Sequence, residues 1–179
     1  MNKSIFRRTL NRLFHSLART LPGSRGLRPF LHRLRGVKVG TNVFIGDEVY
    51  IENEFPEAVE IQDGVQISLR TVILAHTRGP GKVIIEKDAF IGANAVIATV
   101  AGKTLRIGEG SVIGPLSVIT KDVAAKVFVA NESAKPSARV TVPLSKAQTI
   151  EEFIRGLAPI KPPVKTAGTD SKPGSTPAK

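Results

Sequence analysis

The sequence predicts an all-β fold: a parallel β-helix of hexapeptide repeats, with an N-terminal amphipathic helix before it and a short C-terminal helix after it. Three observations predict the β-helix. A β-branched residue recurs every six positions in four triplets, at Val39, Ile45 and Ile51, at Ile61, Ile67 and Ile73, at Ile85, Ile91 and Ile97, and at Ile107, Ile113 and Ile119. The fifth place of each unit is small or β-branched, from Val43 and Val49 through Thr71, Thr77, Ala95 and Ala101 to Val123, with Phe55 the one large exception. The interruptions, residues 57–60, 79–84 and 103–106, always follow the third unit.

A period of six is too short for helical repeats and wrong for heptads, but it is the signature of a hexapeptide β-helix. Each unit supplies one short strand, and three units close one turn of a triangular prism whose interior the β-branched residues fill. Aromatic content is 5% and Trp is absent, so the core is built from small and β-branched side chains, which suit strands. The interruptions then leave the prism at one corner and stack along one edge, where a site can be built.

Residues 1–38 form a basic segment ahead of the prism. They carry ten of the 26 Lys and Arg and no acid, whereas the rest of the chain is almost neutral. Phe6, Leu10, Leu13, Phe14, Leu17 and Leu21 recur at helical spacing, and Pro22-Gly23 stops the helix they define. Three readings fit the stripe. It packs on the body or on a neighbouring subunit, it meets anionic lipid headgroups through residues 3–21, or it meets nucleic acid. The last is disfavoured, because stacking aromatics and recognised motifs are missing. His15 and His32 are expected on the surface of this segment.

The β-helix is expected over residues 39–143. Over residues 144–160, Thr149 as N-cap with Glu152 three residues later marks a short helix, expected to lie across the open end or side of the prism. Residues 161–179 read as a disordered tail rich in Pro, Lys, Gly, Ser and Thr. No apolar run approaches the roughly 20 residues that span a bilayer, and the N-terminus lacks the apolar core of a secretory signal. A cytoplasmic chain is expected, peripheral at the inner membrane face on the lipid reading. With no Cys there is neither a disulfide framework nor a thiolate metal site.

The chemistry concentrates near His76. The segment Ile73-Leu-Ala-His76-Thr-Arg78 runs into the largest interruption. Ile91-Gly-Ala93-Asn-Ala-Val-Ile97, Ser117-Val-Ile-Thr120-Lys121-Asp-Val123 and Val129-Ala-Asn-Glu-Ser-Ala-Lys135 follow. With these motifs the chain, over about residues 36–135, resembles the hexapeptide-repeat acyltransferases, specifically O-acetyltransferases of the maltose, galactoside and exopolysaccharide type. The resemblance implies a left-handed parallel β-helix, a homotrimer with active sites between neighbouring prisms, and acetyl-CoA as co-substrate along the helix edge. It maps the catalytic histidine onto His76 and the coenzyme contacts onto Ala93, Thr120, Lys121 and Lys135. Arg78 is the candidate for acceptor binding. Phe90 stands where Trp is usual, Pro115 where Ala is common, and residues 130–134 read ANESA where GNPA is typical.

A neutral imidazole can take the proton of a sugar hydroxyl as it attacks a thioester, provided its other nitrogen is engaged so that the tautomer is fixed. Glu54, one coil earlier at the same place in its unit, is the expected orienter. Glu86 and a backbone carbonyl are the alternatives. Lys121 and Lys135 supply positive charge for the coenzyme's phosphates. The expected function is acetyl transfer to a hydroxyl of a sugar or surface-polysaccharide precursor, free or lipid-linked. N-acetylation of an amino sugar and a non-catalytic, membrane-associated trimeric scaffold are the alternatives. A zinc site like that of the gamma-type carbonic anhydrases is not expected, since residues 39–179 hold one His and no Cys.

Overall fold

The computed structural model describes residues 5–131 and 138–159, and the chain divides into two compact units, residues 1–132 and 133–179. In the first unit two helices, α1 (Ile5–Thr20) and α2 (Leu27–Arg35), lead into the coils. The first coil is β1 (Lys38–Val39), β2 (Phe44–Ile45) and β3 (Tyr50–Ile51), followed by a 3-10 turn over Pro56–Ala58. The second is β4 (Val59–Ile61), β5 (Gln66–Ile67) and β6 (Val72–Thr77); the third is β7 (Lys82–Ile85), β8 (Phe90–Ile91) and β9 (Val96–Val100). The fourth is β10 (Thr104–Ile107), β11 (Val112–Ile113) and β12 (Val118–Ile119), and β13 (Phe128–Val129) adds one further rung. The coils stack into three parallel sheets, β1-β4-β7-β10, β2-β5-β8-β11-β13 and β3-β6-β9-β12. The expected architecture is therefore present, a parallel β-helix of about four turns.

The register reproduces the hexad. Ile51, Ile73, Ile97 and Ile119 lie side by side on the third face, and Ile45, Ile67, Ile91 and Ile113 on the second. Ten of the interior isoleucines are at most 1% exposed, so the prism is filled by one side-chain type repeated at one rung spacing. The corners have a common device. The fourth residue of the unit, just before a small or β-branched inward residue, adopts left-handed φ at Asn42, Glu48, Arg70, Asp88, Asn94 and Leu116. This turns the chain sharply enough that only a small or β-branched side chain fits inside the bend. At Gly92 a Cβ would lie 2.6 Å from the Pro115 nitrogen on the next coil, so the coils there touch backbone to backbone.

The third unit of a coil departs from the expectation. Thr77 and Ala101, expected inside, are exposed, while Ala75 and Thr99 are buried instead. The cause is strand alternation: β6 and β9 run straight on past the corner, so the second residue after each inward Ile also points inward. The β6–β9 register slips between Leu74 and Thr77, where the pairing passes from Leu74–Ala98 to Thr77–Val100.

α1 and α2 pack on the first coil, and only part of the predicted stripe is covered, Phe14, Leu17 and Leu21 being half-buried. Phe6 is 77% and Leu13 53% exposed, whereas His15 and Ala18 are buried. The face of α1 that meets the coil is polar or small. Asn11 bonds the Asn53 backbone carbonyl and side chain, and the His15 ring packs edge-on against Tyr50 at 4.6 Å. His32, expected on the surface, is fully buried in α2. Its Nδ1 accepts from Arg35 Nη1 at 2.9 Å, and Arg35 Nη2 donates to the Ile51 and Glu52 carbonyls at 3.1 and 2.6 Å. Arg28 does the same work further back, donating to the Leu21 and Ile45 carbonyls and pairing with Asp47. Buried guanidinium groups thus satisfy carbonyls at the edge where the first coil meets the helices.

In the second unit β14 (Ala138–Val140) pairs antiparallel with β15 (Leu157–Pro159), around α3 (Ile150–Arg155). The predicted cap is present: Thr149 Oγ1 accepts from the Glu152 amide at 3.2 Å, and Glu152 Oε2 accepts from the Gln148 amide at 2.8 Å. Residues 161–179 lie outside the described residues. No helix among the described residues is long and apolar enough to cross a membrane.

Candidate active site

The straight run of β6 decides where His76 points. With Ile73 and Ala75 inward, Leu74 and His76 face out, and the chain then turns at Arg78, whose φ is +63°, and Gly79. The Gly81 amide returns to the Ala75 carbonyl at 2.6 Å, and a Cβ on Gly81 would lie 2.6 Å from the Val100 carbonyl oxygen. The loop is therefore closed tightly against the strand that carries the histidine.

The carboxylate on His76 is Glu52. Its Oε2 lies 2.6 Å from His76 Nδ1, which corrects the expectation for Glu54. The reason is the same straight run. β3 pairs with β6 through Tyr50–Val72 and Ile51–Ile73, but beyond Ile51 the first coil turns into Pro56–Ala58 while β6 continues. Glu52, beside Leu74, therefore reaches across one rung to the histidine. Glu54 lies with its carboxylate 3.7 Å from Arg12 instead. Glu86, the other candidate, lies on the third coil, where it pairs with Arg106 at 3.5 Å.

Glu52 is fully buried, and both of its oxygens are engaged. Oε2 also accepts from the Ala75 amide at 2.8 Å, and Oε1 accepts from the Glu54 and Phe55 amides at 2.8 and 3.1 Å. Burial alone would raise its pKa, but the hydrogen bonds from His76 and from the three backbone amides outweigh burial and hold it below the ordinary carboxylate value. An ionised carboxylate can only accept, so Nδ1 carries a proton, and in the neutral imidazole it is Nε2 that holds the lone pair. The Phe55 ring stands edge-on to the imidazole at 5.9 Å. The His76 side chain is 34% exposed, open enough to meet a reactant. An imidazole held in this way can take up a proton at Nε2.

The other predicted residues fall in two places. Thr120 and Lys121 are exposed at the end of β12, two rungs from Leu74 on the same face. Ala93 sits at the preceding corner, where its carbonyl accepts from the Leu116 amide at 2.9 Å. Arg78 is exposed at the turn after His76, and Lys135 lies outside the described residues. Sequence reasoning missed Glu52. The signal available was an acid directly after the inward Ile of the third unit, where Leu74, Ala98 and Thr120 stand in the other coils.

No family model matches the chain. It is 41% identical over 73 residues to a 2,3,4,5-tetrahydropyridine-2,6-dicarboxylate N-acetyltransferase of Clostridium perfringens, covering 40% of this chain and 29% of that protein. It is 43% identical over 53 residues to the protein of that name in Staphylococcus aureus, covering 30% and 20%. The chain thus spans less than a third of the length of the curated relatives it matches. Among solved structures, a maltose O-acetyltransferase from Clostridium difficile 630 superposes with a TM-score of 0.51 at 19% identity, covering 70% of this chain and 80% of that one. The chain is a hexapeptide-repeat β-helix, similar in fold to an O-acetyltransferase and in part of its sequence to N-acetyltransferases.

Proposed function

We propose that the protein is an acyltransferase that moves the acetyl group of acetyl-CoA to a hydroxyl of a sugar or surface-polysaccharide precursor, with His76 as general base. The observation that carries this reading is the 2.6 Å bond between His76 Nδ1 and buried Glu52. A histidine at the surface of a β-helix needs no buried carboxylate to sit there, whereas a base needs one nitrogen fixed so that the other stays free. Nε2 takes the hydroxyl proton as the oxygen attacks the thioester carbonyl. The tetrahedral intermediate then expels the coenzyme's thiolate, and the proton on Nε2 passes to that sulfur. Glu52 stabilises the imidazolium between the two transfers.

Thr120 and Lys121 sit on the same face as the histidine and offer a hydroxyl and a positive charge to the coenzyme. Ala93 lines the neighbouring corner, and Lys135 is assigned to the phosphates. Arg78 is the acceptor contact. A homotrimer fits the outward apolar residues of the later coils, Val118 at 65% and Phe128 at 68% exposure. Peripheral contact with an anionic membrane fits the exposed Phe6 and Leu13 among arginines of α1. A cytoplasmic site of action goes with acetyl-CoA.

N-acetylation, of an amino sugar, is the second reading, favoured by the N-acetyltransferases that share 41–43% identity over part of the chain. Incubation with labelled acetyl-CoA and a panel of saccharides, amino sugars and lipid-linked saccharides, with mass spectrometry of the products, separates the two. An O-acetyl product supports the first reading and an amide product the second. Absence of any transfer counts against both.

A further inference from the structure

Beside the histidine's support lies a cavity that acyl transfer by His76 does not use. It has a volume of about 190 Å³, more than ten times the roughly 10–15 Å³ that one water needs. α1, α2 and the corner after Glu52 line it on the surface, and its polar lining includes Arg7, Arg8, Arg12, Arg35, Asn53 and Glu54. Four guanidinium groups and the Glu54 carboxylate thus line one groove. Arg35 is committed to Asn11, His32 and the coil carbonyls, and Arg12 leans on Glu54 at 3.7 Å. Arg8 makes no ion pair among the described residues. Such a cluster is favourable when an anion neutralises it, and guanidinium forks match the oxygens of a phosphoryl group.

The cavity is coupled to the histidine through bonds already described. Arg35, in its wall, donates to the Glu52 carbonyl, and Glu54, also in its wall, donates its amide to the Glu52 carboxylate that holds His76. It also lies on the first coil, whereas the coenzyme candidates Thr120 and Lys121 lie on the fourth, with His76 on the second between them. A ligand in the cavity therefore approaches the base from the side opposite the coenzyme.

We propose that this cavity is a subsite for a phosphoryl group carried by the acceptor, free or lipid-linked, a proposal that rests on the reading of His76 as the base of acyl transfer. The test is binding of glucose 1-phosphate against glucose by isothermal titration calorimetry, without acetyl-CoA, in the full chain and in Arg8→Gln and Arg12→Gln. Glucose 1-phosphate is expected to bind at least about tenfold more tightly than glucose, each variant weakening it about tenfold, as loss of one charge-assisted bond does. Saturation with coenzyme A is expected to leave this binding in place. Vesicles of phosphatidylcholine with phosphatidic acid present the same group on a lipid, and retention on them that both variants weaken and that glucose 1-phosphate competes away supports the lipid-linked form.

Failure of both probes, indifference of both variants, or loss of binding when coenzyme A saturates its own site would overturn the proposal. Because no acetyl transfer is measured, intact phosphate binding beside absent transfer refutes the acyltransferase reading alone. Transfer without phosphate binding refutes only the subsite.

Discussion

Replacing Glu52 with Gln removes one formal charge and almost no volume, yet the pattern of donors around it makes the change severe. Oε1 accepts from two backbone amides, and Oε2 accepts from a third amide and from the imidazole. A glutamine has one acceptor oxygen. If that oxygen faces the Glu54 and Phe55 amides, the NH₂ group meets the Ala75 N–H donor to donor. If it is flipped, the NH₂ group meets two amides instead. Each buried N–H left unpaired costs about 1–3 kcal/mol, and charge-assisted bonds become neutral ones, so the expected loss is about 2–4 kcal/mol of stability. In the first orientation the NH₂ group also donates to His76 Nδ1, which moves the ring proton to Nε2 and blocks the base. The transfer rate is then expected to fall about 10²–10⁴-fold, the usual worth of a general base. Urea denaturation measures the first quantity and steady-state acetyl transfer the second. A Glu52→Gln variant with unchanged urea midpoint and unchanged kcat would refute the reasoning.

Acid should unfold the protein early. Burial, followed by the nearby Arg35 charge, lowers His15 from the ordinary 6.5 to about 4 and His32 to about 3. Below pH 6.5 the unfolded chain therefore binds protons that the folded chain refuses, and stability falls with pH by about 3 kcal/mol per unit for the pair. Circular dichroism against pH should show loss of structure beginning between pH 6 and 4, and His15→Phe should shallow the slope. Glu52 acts at lower pH. Its folded carboxylate stays ionised below the ordinary value, so its contribution, present above that value, is lost as pH falls through its depressed one. Arg35→Met leaves His32, Asn11 and two coil carbonyls without their donor and should cost about 3 kcal/mol or more by denaturant titration. Gly92→Ala forces a Cβ to within 2.6 Å of the Pro115 nitrogen, and the backbone shift should cost about 1–3 kcal/mol.

The frame of the fold was legible because one side-chain requirement repeats at every rung. An inward place of the prism accepts Ile or Val and little else, so the hexad from Ile45 to Ile119 could be read directly. The third face was harder. Thr77 and Ala101 suit an inward corner as well as Ala75 and Thr99 do, so residue size could not tell a turn from a straight run. That ambiguity propagated into the site. A turn after Ile73 aligns Glu54 with His76, whereas a straight run brings Glu52 across instead. His76 itself was legible, from its place before the largest interruption and from the motifs that follow it. The N-terminal helix misled for another reason. Its stripe was real, but the helix docks by hydrogen bonds to coil carbonyls and by His15 against Tyr50, and periodicity does not register such contacts. His15 and His32 looked like surface residues for the same reason.

The central claim is that His76, held by Glu52, is the base for acyl transfer. The rate of labelled acetyl transfer by His76→Ala, at wild-type fold stability and saturating acetyl-CoA, tests it most directly. A loss of about 10²–10⁴-fold in kcat is expected. Transfer at the wild-type rate would contradict it.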